Sequence, residues 1–411
     1  MGKKRVGIIG AGPAGLMAAG RAAGLGHSVF VFEKNRQACR KLMITGKGRC
    51  NITNACPKDE LIKNIPGNGR FLYSSLSRFS NHDIMDFFSG LGVRLKTERG
   101  NRVFPESDKA SDIREALVGF AVKNGAIIKY NSSVREIIAE EGRVRGVVLE
   151  NGESWELDAV ILATGGMSYP LTGSTGDGYR MARELGHSVS EPRPSLVPLE
   201  TVETWVRQVS GLTLKNITLT VYDPSGKKVF EELGEMLFTH FGVSGPLVLS
   251  ASRHILDCGF SGSVLVIDMK PALSEEALDR RIQRDFDKFS RKHLSNALYE
   301  LLPRSFIPVF IQLLEIPPDK PVNQVTRRER QRMVSLLKGI RLTVSRSRPI
   351  SEAIVTAGGI KTGEIDPKTM ESKLVKGLYF VGEIIDVDAY TGGFNLTIAL
   401  STGYTAGSSI M

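Results

Sequence analysis

Unbroken apolar runs punctuated by glycine organise both ends of the chain. Arg5-Val6-Gly7-Ile8-Ile9 reads as a strand buried on both faces, because such strands show continuous apolar runs instead of alternation. Gly10-Ala11-Gly12-Pro13-Ala14-Gly15 follows, then an Ala-rich helix to about Gly24, then a second strand at 28–32 that ends at Glu33. Much later, Asp158-Ala159-Val160-Ile161-Leu162-Ala163 repeats the buried-strand pattern and runs into Thr164-Gly165-Gly166. Gly377-Leu378-Tyr379-Phe380-Val381-Gly382-Glu383 repeats it again, with Asp386 three residues on, and 391–396 opens a final helix. Helical spacing predicts helices over 71–90 and 108–124, the latter capped by Ser107 or Asp108. Strand-like runs occupy 126–130, 132–139 and 143–150.

The middle of the chain follows a different pattern. Glu191-Pro192-Arg193-Pro194, with Pro198 close behind, marks a domain exit. Ile217, Leu219 and Val221 then alternate with Thr218 and Thr220, which predicts a half-buried strand. Asp223-Pro224-Ser225-Gly226 turns that strand into a hairpin, and 263–269 adds another strand. From 274 to 338 the spacing becomes helical and highly charged, with Pro303 and Pro317-Pro318 between helices; a strand returns at 342–345. The expectation is an α/β fold: a discontinuous Rossmann-like domain over 1–193 and 349–411, an inserted β-barrel-like domain over 194–272 and 339–348, and a helical subdomain over 273–338. A chain of 411 residues exceeds the roughly 250–300 that one hydrophobic core supports, which agrees with several domains.

The glycine pattern at 10–15 is G-x-G-x-x-G between strand and helix, with an acid closing the next strand. Gly10 allows the tight turn, Gly12 lets the backbone approach a pyrophosphate, and Gly15 lets the helix pack on its strand. Pro13 suits a first helical turn. The helix N-terminus offers free N–H groups to phosphates, and Glu33 stands where a carboxylate accepts from ribose hydroxyls. Three further features favour FAD over a nicotinamide nucleotide as the resident group. They are the small residues Thr164-Gly165-Gly166 at a strand end, Gly382-Glu383 with Asp386, and a helix start at Thr391-Gly392-Gly393-Phe394-Asn395-Leu396 suited to the pyrimidine edge of a flavin.

Composition changes this picture in two places. Four cysteines, Cys39, Cys50, Cys56 and Cys258, are too few for a disulfide framework and show neither dithiol nor zinc spacing, so a reducing cytoplasm is the expected home and no metal is expected. Net charge is +10. Between Leu273 and Arg348 there are 16 Lys/Arg against 9 Asp/Glu, and Lys34, Arg36, Arg40, Lys41, Lys47 and Arg49 form a second cluster without an acid between them. No run of 18 uncharged apolar residues occurs, so no membrane span is expected. Lys3-Lys4-Arg5 before an apolar stretch imitates a secretory signal, but Gly10, Gly12, Gly15 and Arg21 interrupt it.

Several blocks carry a resemblance: Thr45-Gly46-Lys47-Gly48-Arg49-Cys50-Asn51-Ile52-Thr53-Asn54, Arg102-Val103-Phe104-Pro105, Gly173-Ser174-Thr175-Gly176-Asp177-Gly178, Met236-Leu237-Phe238-Thr239-His240 with Ser244-Gly245-Pro246, and 377–393. The chain resembles the two-dinucleotide-binding-domain superfamily of FAD enzymes and, within it, the BaiN-like flavoproteins, also called the aminoacetone-oxidase family. The likeness runs over essentially the whole chain. By residue match it implies that FAD touches Gly10, Gly12, Ala14, Gly15, Glu33, Lys34, Lys41, Gly48, Arg49, Cys50, Asn51, Thr164, Gly165, Gly382, Glu383, Asp386, Gly393, Phe394, Asn395 and Leu396, and the backbone of Val134 at the adenine. It also implies the discontinuous domain arrangement, and NADH or NADPH as a transient electron donor in several members.

No second G-x-G-x-x-G occurs between 100 and 350, and no C-x-x-C or C-x-x-x-x-C pair exists, which argues against a dithiol oxidoreductase. His240 is the leading candidate acid for protonating a substrate after hydride transfer; its alternative is a histidine that bonds a backbone carbonyl and shapes its loop. Cys50 is a second candidate, on the expectation that Arg49 and Lys47 lower its pKa; the alternative is a small residue packed on the cofactor. Ser168 and Tyr169 are candidates for orienting substrate. The basic stretch reads either as a face for ribosomal RNA, through Arg280, Arg281, Arg284, Lys288, Arg291, Lys292, Arg327, Arg328, Arg330 and Arg332, or as a solvated face paired through Asp285, Asp287 and Glu329. The expected activity is an FAD-dependent oxidoreductase, with NAD(P)H-driven reduction of an activated C=C bond in an enone-type small molecule or in uracil of large-subunit rRNA. The alternatives are an amine oxidase that uses O2 and an RNA-binding flavoprotein with structural FAD.

Overall fold

The computed structural model describes residues 2–410. The chain divides into two compact units, Met1–Ser195 with Ile350–Met411, and Leu196–Pro349.

The first unit is built on five parallel strands. β1 (Arg5–Ile9) leads through the glycine turn into α1 (Pro13–Gly24) and β2 (Ser28–Glu33). α2 (Ala110–Lys123) precedes β3 (Ile127–Tyr130), β4 (Ala159–Leu162) precedes α3 (Asp177–Glu184), and β5 (Leu378–Phe380) precedes α4 (Phe394–Ser408). The sheet order is β5-β4-β1-β2-β3, and every neighbouring pair is parallel. Central position explains the continuous apolar runs: β4 and β5 are buried at every residue and β1 at all but its first.

α1 packs against α4, and the small residues of both set the distance. A Cβ at Gly403 would lie 2.3 Å from the Ala14 carbonyl oxygen, and one at Gly407 would lie 2.5 Å from that of Ala18. Backbone therefore touches backbone along this crossing.

Three small antiparallel sheets complete the unit. One joins Val134–Glu140, Arg143–Leu149 and Ser154–Glu156; another joins Thr53–Asn54, Arg102–Pro105 and Leu95–Glu98. The third corrects the sequence reading. The proline-rich stretch expected as a break is a strand, Val189–Ser195, antiparallel to Val355–Ile360. A two-stranded sheet has an open edge for residues that lack an N–H, and a register shift between Ser190 and Arg193 accommodates Pro192.

Two other local readings change. The helix expected over 71–90 breaks into Tyr73–Arg78 and Asn81–Gly90, because Ser80 starts the second with a capping box to Asp83. Neither Ser107 nor Asp108 caps α2; Lys109 holds that position. Ser107 donates to Asp112 while Asp108 pairs with Lys96, so both side chains are engaged elsewhere.

The second unit is a closed six-stranded barrel in the order Leu199–Thr201, Gly242–Ser244, Lys228–Phe238, Thr213–Tyr222, Val264–Asp268, Ile340–Ser347. The hairpin at 223–226 is present, with Asp223 accepting from the Ser225 and Lys227 amides. Helices Glu275–Lys288, Ile307–Leu314 and Arg327–Lys338 fill the excursion between the last two barrel strands. Among the described residues, no helix is long and apolar enough to cross a membrane.

The α1–α4 contact gives a paired prediction. Gly403→Ala should lower stability by about 1–3 kcal/mol, the usual cost of overpacking. Gly119→Ala, inside α2 with nothing within 4 Å of its added Cβ, should raise it by about 0.5–1 kcal/mol. Urea midpoints measure both; equal midpoints for the two variants would remove the claim that α1 and α4 touch through their backbones.

Candidate functional site

The turn from β1 to α1 is shaped by what a side chain would strike. Gly10 has φ +104°, and a Cβ there would lie 2.6 Å from the Ala163 carbonyl oxygen, so the β1 and β4 ends press together. At Gly15 a Cβ would lie 2.0 Å from the Gly10 carbonyl oxygen. At Gly12 it would meet nothing within 4 Å, which leaves open space beside the start of α1. The first turn of α1 holds Pro13 and no acid, so its dipole end and free N–H groups have no partner from their own side chains.

Glu33 closes β2 and is 8% exposed. Its Oε2 accepts from the Ala11 amide at 2.9 Å, and its Oε1 accepts from the Asn35 amide at 2.8 Å and Asn35 Nδ2 at 2.7 Å. The carboxylate thus ties the glycine turn to the end of β2, and three bonds leave it lone pairs for further donors. The Ser132 amide donates to the Glu33 carbonyl at 2.9 Å, which places Val134 near the same strand end. Lys34 Nζ donates to Thr175 Oγ1 and pairs with Asp177, both at 2.6 Å, so the Gly173–Gly178 segment is drawn to the end of β2.

A second carboxylate follows β5. Glu383 accepts from Lys41 Nζ at 2.9 and 2.7 Å, from the Thr356 amide at 2.9 Å and from Ser168 Oγ at 3.0 Å. Lys41 also donates to Ser168 Oγ at 2.6 Å, and Thr356 Oγ1 accepts from the Met167 and Ser168 amides. Thr356 escaped the sequence reading, because its neighbours stand at 41, 168 and 383 and no local pattern joins them. Ser168, read as a substrate-orienting candidate, is fully buried inside this network. Burial, with Glu352 nearby, raises the pKa of Tyr169.

The segment 45–51 winds through left-handed conformations at Gly46, Lys47, Gly48 and Cys50. It corrects the expectation for Cys50. The thiol is buried, and burial pushes its pKa up to about 12 against a smaller opposing bond with Thr45. Arg49 does not lower it, because its guanidinium pairs with Glu98 at 2.8 Å and Asp108 at 3.4 Å and lies 4.2 Å from the Phe104 ring centre. Cys50 therefore has neither the exposure nor the acidity of a proton donor.

The start of α4 rests on this segment. A Cβ at Gly393 would lie 2.4 Å from the Thr53 carbonyl, Thr53 and Thr397 share a 2.8 Å hydrogen bond, and Asn54 donates to the Gly392 carbonyl. Asn395 clamps the preceding loop by accepting from the Ala389 amide and donating to its carbonyl. Asp386 accepts from Ser190 Oγ at 2.7 Å.

These residues fit an extended dinucleotide cofactor. Space stands open at Gly12 beside an acid-free helix start. Among the described residues five buried side-chain polar atoms have no hydrogen-bond partner, and two of them, Asn51 Oδ1 and Thr164 Oγ1, belong to residues named for FAD from the sequence, where a polar ligand would pair them. Of the residues named for FAD from the sequence, Glu33 and Lys34 are tied to the end of β2, and Lys41 and Glu383 to each other after β5. His240 lies in the other unit, in the turn between two barrel strands. That turn is held by Thr239 and Gly242, which bond each other twice, and the exposed imidazole has no hydrogen-bond partner among the described residues. The loop-shaping role considered for His240 thus falls to Thr239.

Comparison with known proteins agrees with the fold. The model of the HI0933-like protein Rossmann domain matches residues 4–409. The chain is 33% identical to a ribosomal RNA dihydrouridine synthase of Haemophilus influenzae over 98% of this chain and 97% of that protein. It is 31% identical to a 3-dehydro-bile acid delta(4,6)-reductase of Clostridium scindens over 98% of each. Among solved structures, 3-ketosteroid delta1-dehydrogenase from Sterolibacterium denitrificans aligns over 99% of both chains with a TM-score of 0.55 and 15% identity, which speaks for the fold alone. The chain belongs to the HI0933-like Rossmann family of FAD-dependent oxidoreductases.

Proposed function

We propose that the protein is an NAD(P)H-dependent reductase of a carbon–carbon double bond conjugated with a carbonyl. The observation that carries the reading is the acid-free start of α1 facing open space at Gly12, with Glu33 and the Glu383–Lys41 pair at the ends of the same parallel sheet. Bound FAD supplies hydride transfer between a nicotinamide and the substrate carbon. The chain's own part is to hold and to protonate. The N–H groups of α1 meet phosphate charge, Glu33 accepts from hydroxyl donors, and the α4 start offers N–H groups to a ring edge that gains negative charge on reduction. We assign to His240 the proton for the carbon not attacked by hydride; its imidazole is exposed and makes no hydrogen bond among the described residues.

A thiol relay is disfavoured: Cys39, Cys50 and Cys56 are buried with raised pKa values, and all four cysteines are free. The two curated relatives, named as a bile acid reductase and an rRNA dihydrouridine synthase, support hydride delivery to an enone-like carbon over amine oxidation. Between these substrate classes, the second unit favours RNA. Arg281, Lys288, Lys320 and Arg330 are engaged by Asp285, Glu300, Glu329 and Asp279. Arg284, Arg291, Arg304, Arg327 and Arg328 are exposed and form no ion pair among the described residues. Unpaired arginines are the ones available to phosphates.

Under anaerobic conditions NADH or NADPH should bleach the flavin, and a uracil-containing rRNA fragment should restore the colour. Bleaching by an amine with peroxide formed in air would refute the reductase reading. Glu33→Ala should weaken FAD binding roughly 5- to 150-fold, because the ligand hydroxyls lose a charged acceptor worth about 1–3 kcal/mol, as read by titration of the apoprotein. His240→Ala should slow substrate reduction about 10²–10⁴-fold while flavin bleaching by NAD(P)H stays near the wild-type rate; normal turnover would remove the acid assignment.

A further inference from the structure

A groove of about 650 Å³ opens on the helical part of the second unit, lined by residues between 295 and 318. Its floor is apolar: Ile307, Ile311 and Ile316 are at most 6% exposed. Its rim is polar and exposed, with Asn296, Tyr299, Arg304 and Gln312. An apolar floor rimmed by amide and guanidinium groups and an aromatic ring suits a flat heteroaromatic ring, whose faces are apolar and whose edge forms hydrogen bonds.

Tyr299 is the feature that selects the ligand. Its ring stands 40% exposed beside Phe289 at 5.3 Å between centroids. Its hydroxyl donates to Glu300 at 3.3 Å. Lys292 Nζ lies 5.4 Å from the Tyr299 centroid and 4.5 Å from that of Phe289, so a cation sits against the same aromatic pair. Gln312 Oε1 accepts from Gln208, which leaves its N–H groups free, while Arg304 and the Asn296 side chain have no partner among the described residues. A ring face, an adjacent cation and free edge-reading amides are the parts of a single-strand nucleic acid site. An apolar peptide side chain would satisfy the floor but would bury Arg304, Asn296 and Gln312 without partners, at a cost.

We propose that this groove seats one unpaired nucleobase of an RNA strand, with Tyr299 as its stacking face and Arg304 and Lys292 on the neighbouring phosphates. The proposal rests on the RNA reading of the substrate and adds a second anchoring point for the strand, apart from the residues assigned to cofactor and proton transfer.

Anisotropy of a fluorescein-labelled, uridine-rich single-stranded RNA, titrated with the FAD-loaded full chain, tests it. Tyr299→Ala should weaken binding roughly 5- to 150-fold with an unchanged salt slope, because stacking releases no counterions. Tyr299→Phe should keep near-wild-type affinity, and Arg304→Gln should lower the salt slope by about one. Unchanged FAD content and flavin bleaching by NAD(P)H in all three variants will report intact folding. If wild type binds RNA and Tyr299→Ala binds it equally well, the groove is not a base site and falls to a protein partner, while the RNA reading stands. If wild type does not bind RNA at all, the RNA reading fails and takes the groove proposal with it.

Discussion

The site exists because backbone is pressed against backbone at the start of α1. Two contacts fix that helix: Gly15 against the Gly10 carbonyl from below, and Gly403 against the Ala14 carbonyl from the side. A methyl group at either point would strike an oxygen, and the helix would have to shift. Its N-terminal N–H groups would shift with it, together with the open space at Gly12. The Ala-rich composition of α1 and the small residues of α4 are thus one solution to one requirement. The positive end of a helix must sit at the carboxyl edge of a parallel sheet, with nothing of its own to neutralise it.

The two carboxylates at that edge are held in different ways. Glu33 accepts from neutral N–H donors of Ala11 and Asn35 and serves as a brace for the turn. Glu383 is paired with the Lys41 ammonium and braced by Ser168 and Thr356. That pair is about one-fifth exposed on each side, so screening by water is incomplete and loss of one partner would strand the other charge. The contrast places a net negative group at one end of the region and a neutral pair at the other. A long ligand with phosphates in its middle would therefore face the helix N-termini instead of a second uncompensated acid.

What the sequence discloses follows from how local each cause is. The first strand, glycine turn, helix and terminal acid lie within thirty consecutive positions, and each step has its own chemical signature. The barrel hairpin is equally local, since Asp223 and Gly226 dictate the turn. The strand at Val189–Ser195 was hidden by its prolines, whose local meaning is a break, and only its partner at Val355–Ile360 makes it a strand. Ser80 was hidden because apolar spacing continues across it on both sides, while the capping box depends on Asp83 facing back. Thr356 and Ser168 could not be joined to Glu383 by any spacing rule, because the sheet alone brings them together.

Cys50 and the basic helices teach the same lesson about charge. Arg49 adjoins Cys50 in sequence, and adjacency suggests a thiol made acidic; the guanidinium is turned to Glu98 and Asp108 instead, and burial decides the pKa. Between Leu273 and Arg348 the surplus of basic residues counts charges that differ in kind. Arg330 against Asp279 fastens two helices together, Lys320 against Glu329 ties a loop to a helix, and both cations have little left for a ligand. Arg284, Arg291 and Arg328 make no such bond, so their charge is felt in solution over a Debye length of roughly 8–10 Å. The number that governs attraction to a polyanion is the count of unpaired cations on a shared surface, and that number is set by the fold even though every charge in it is written in the sequence.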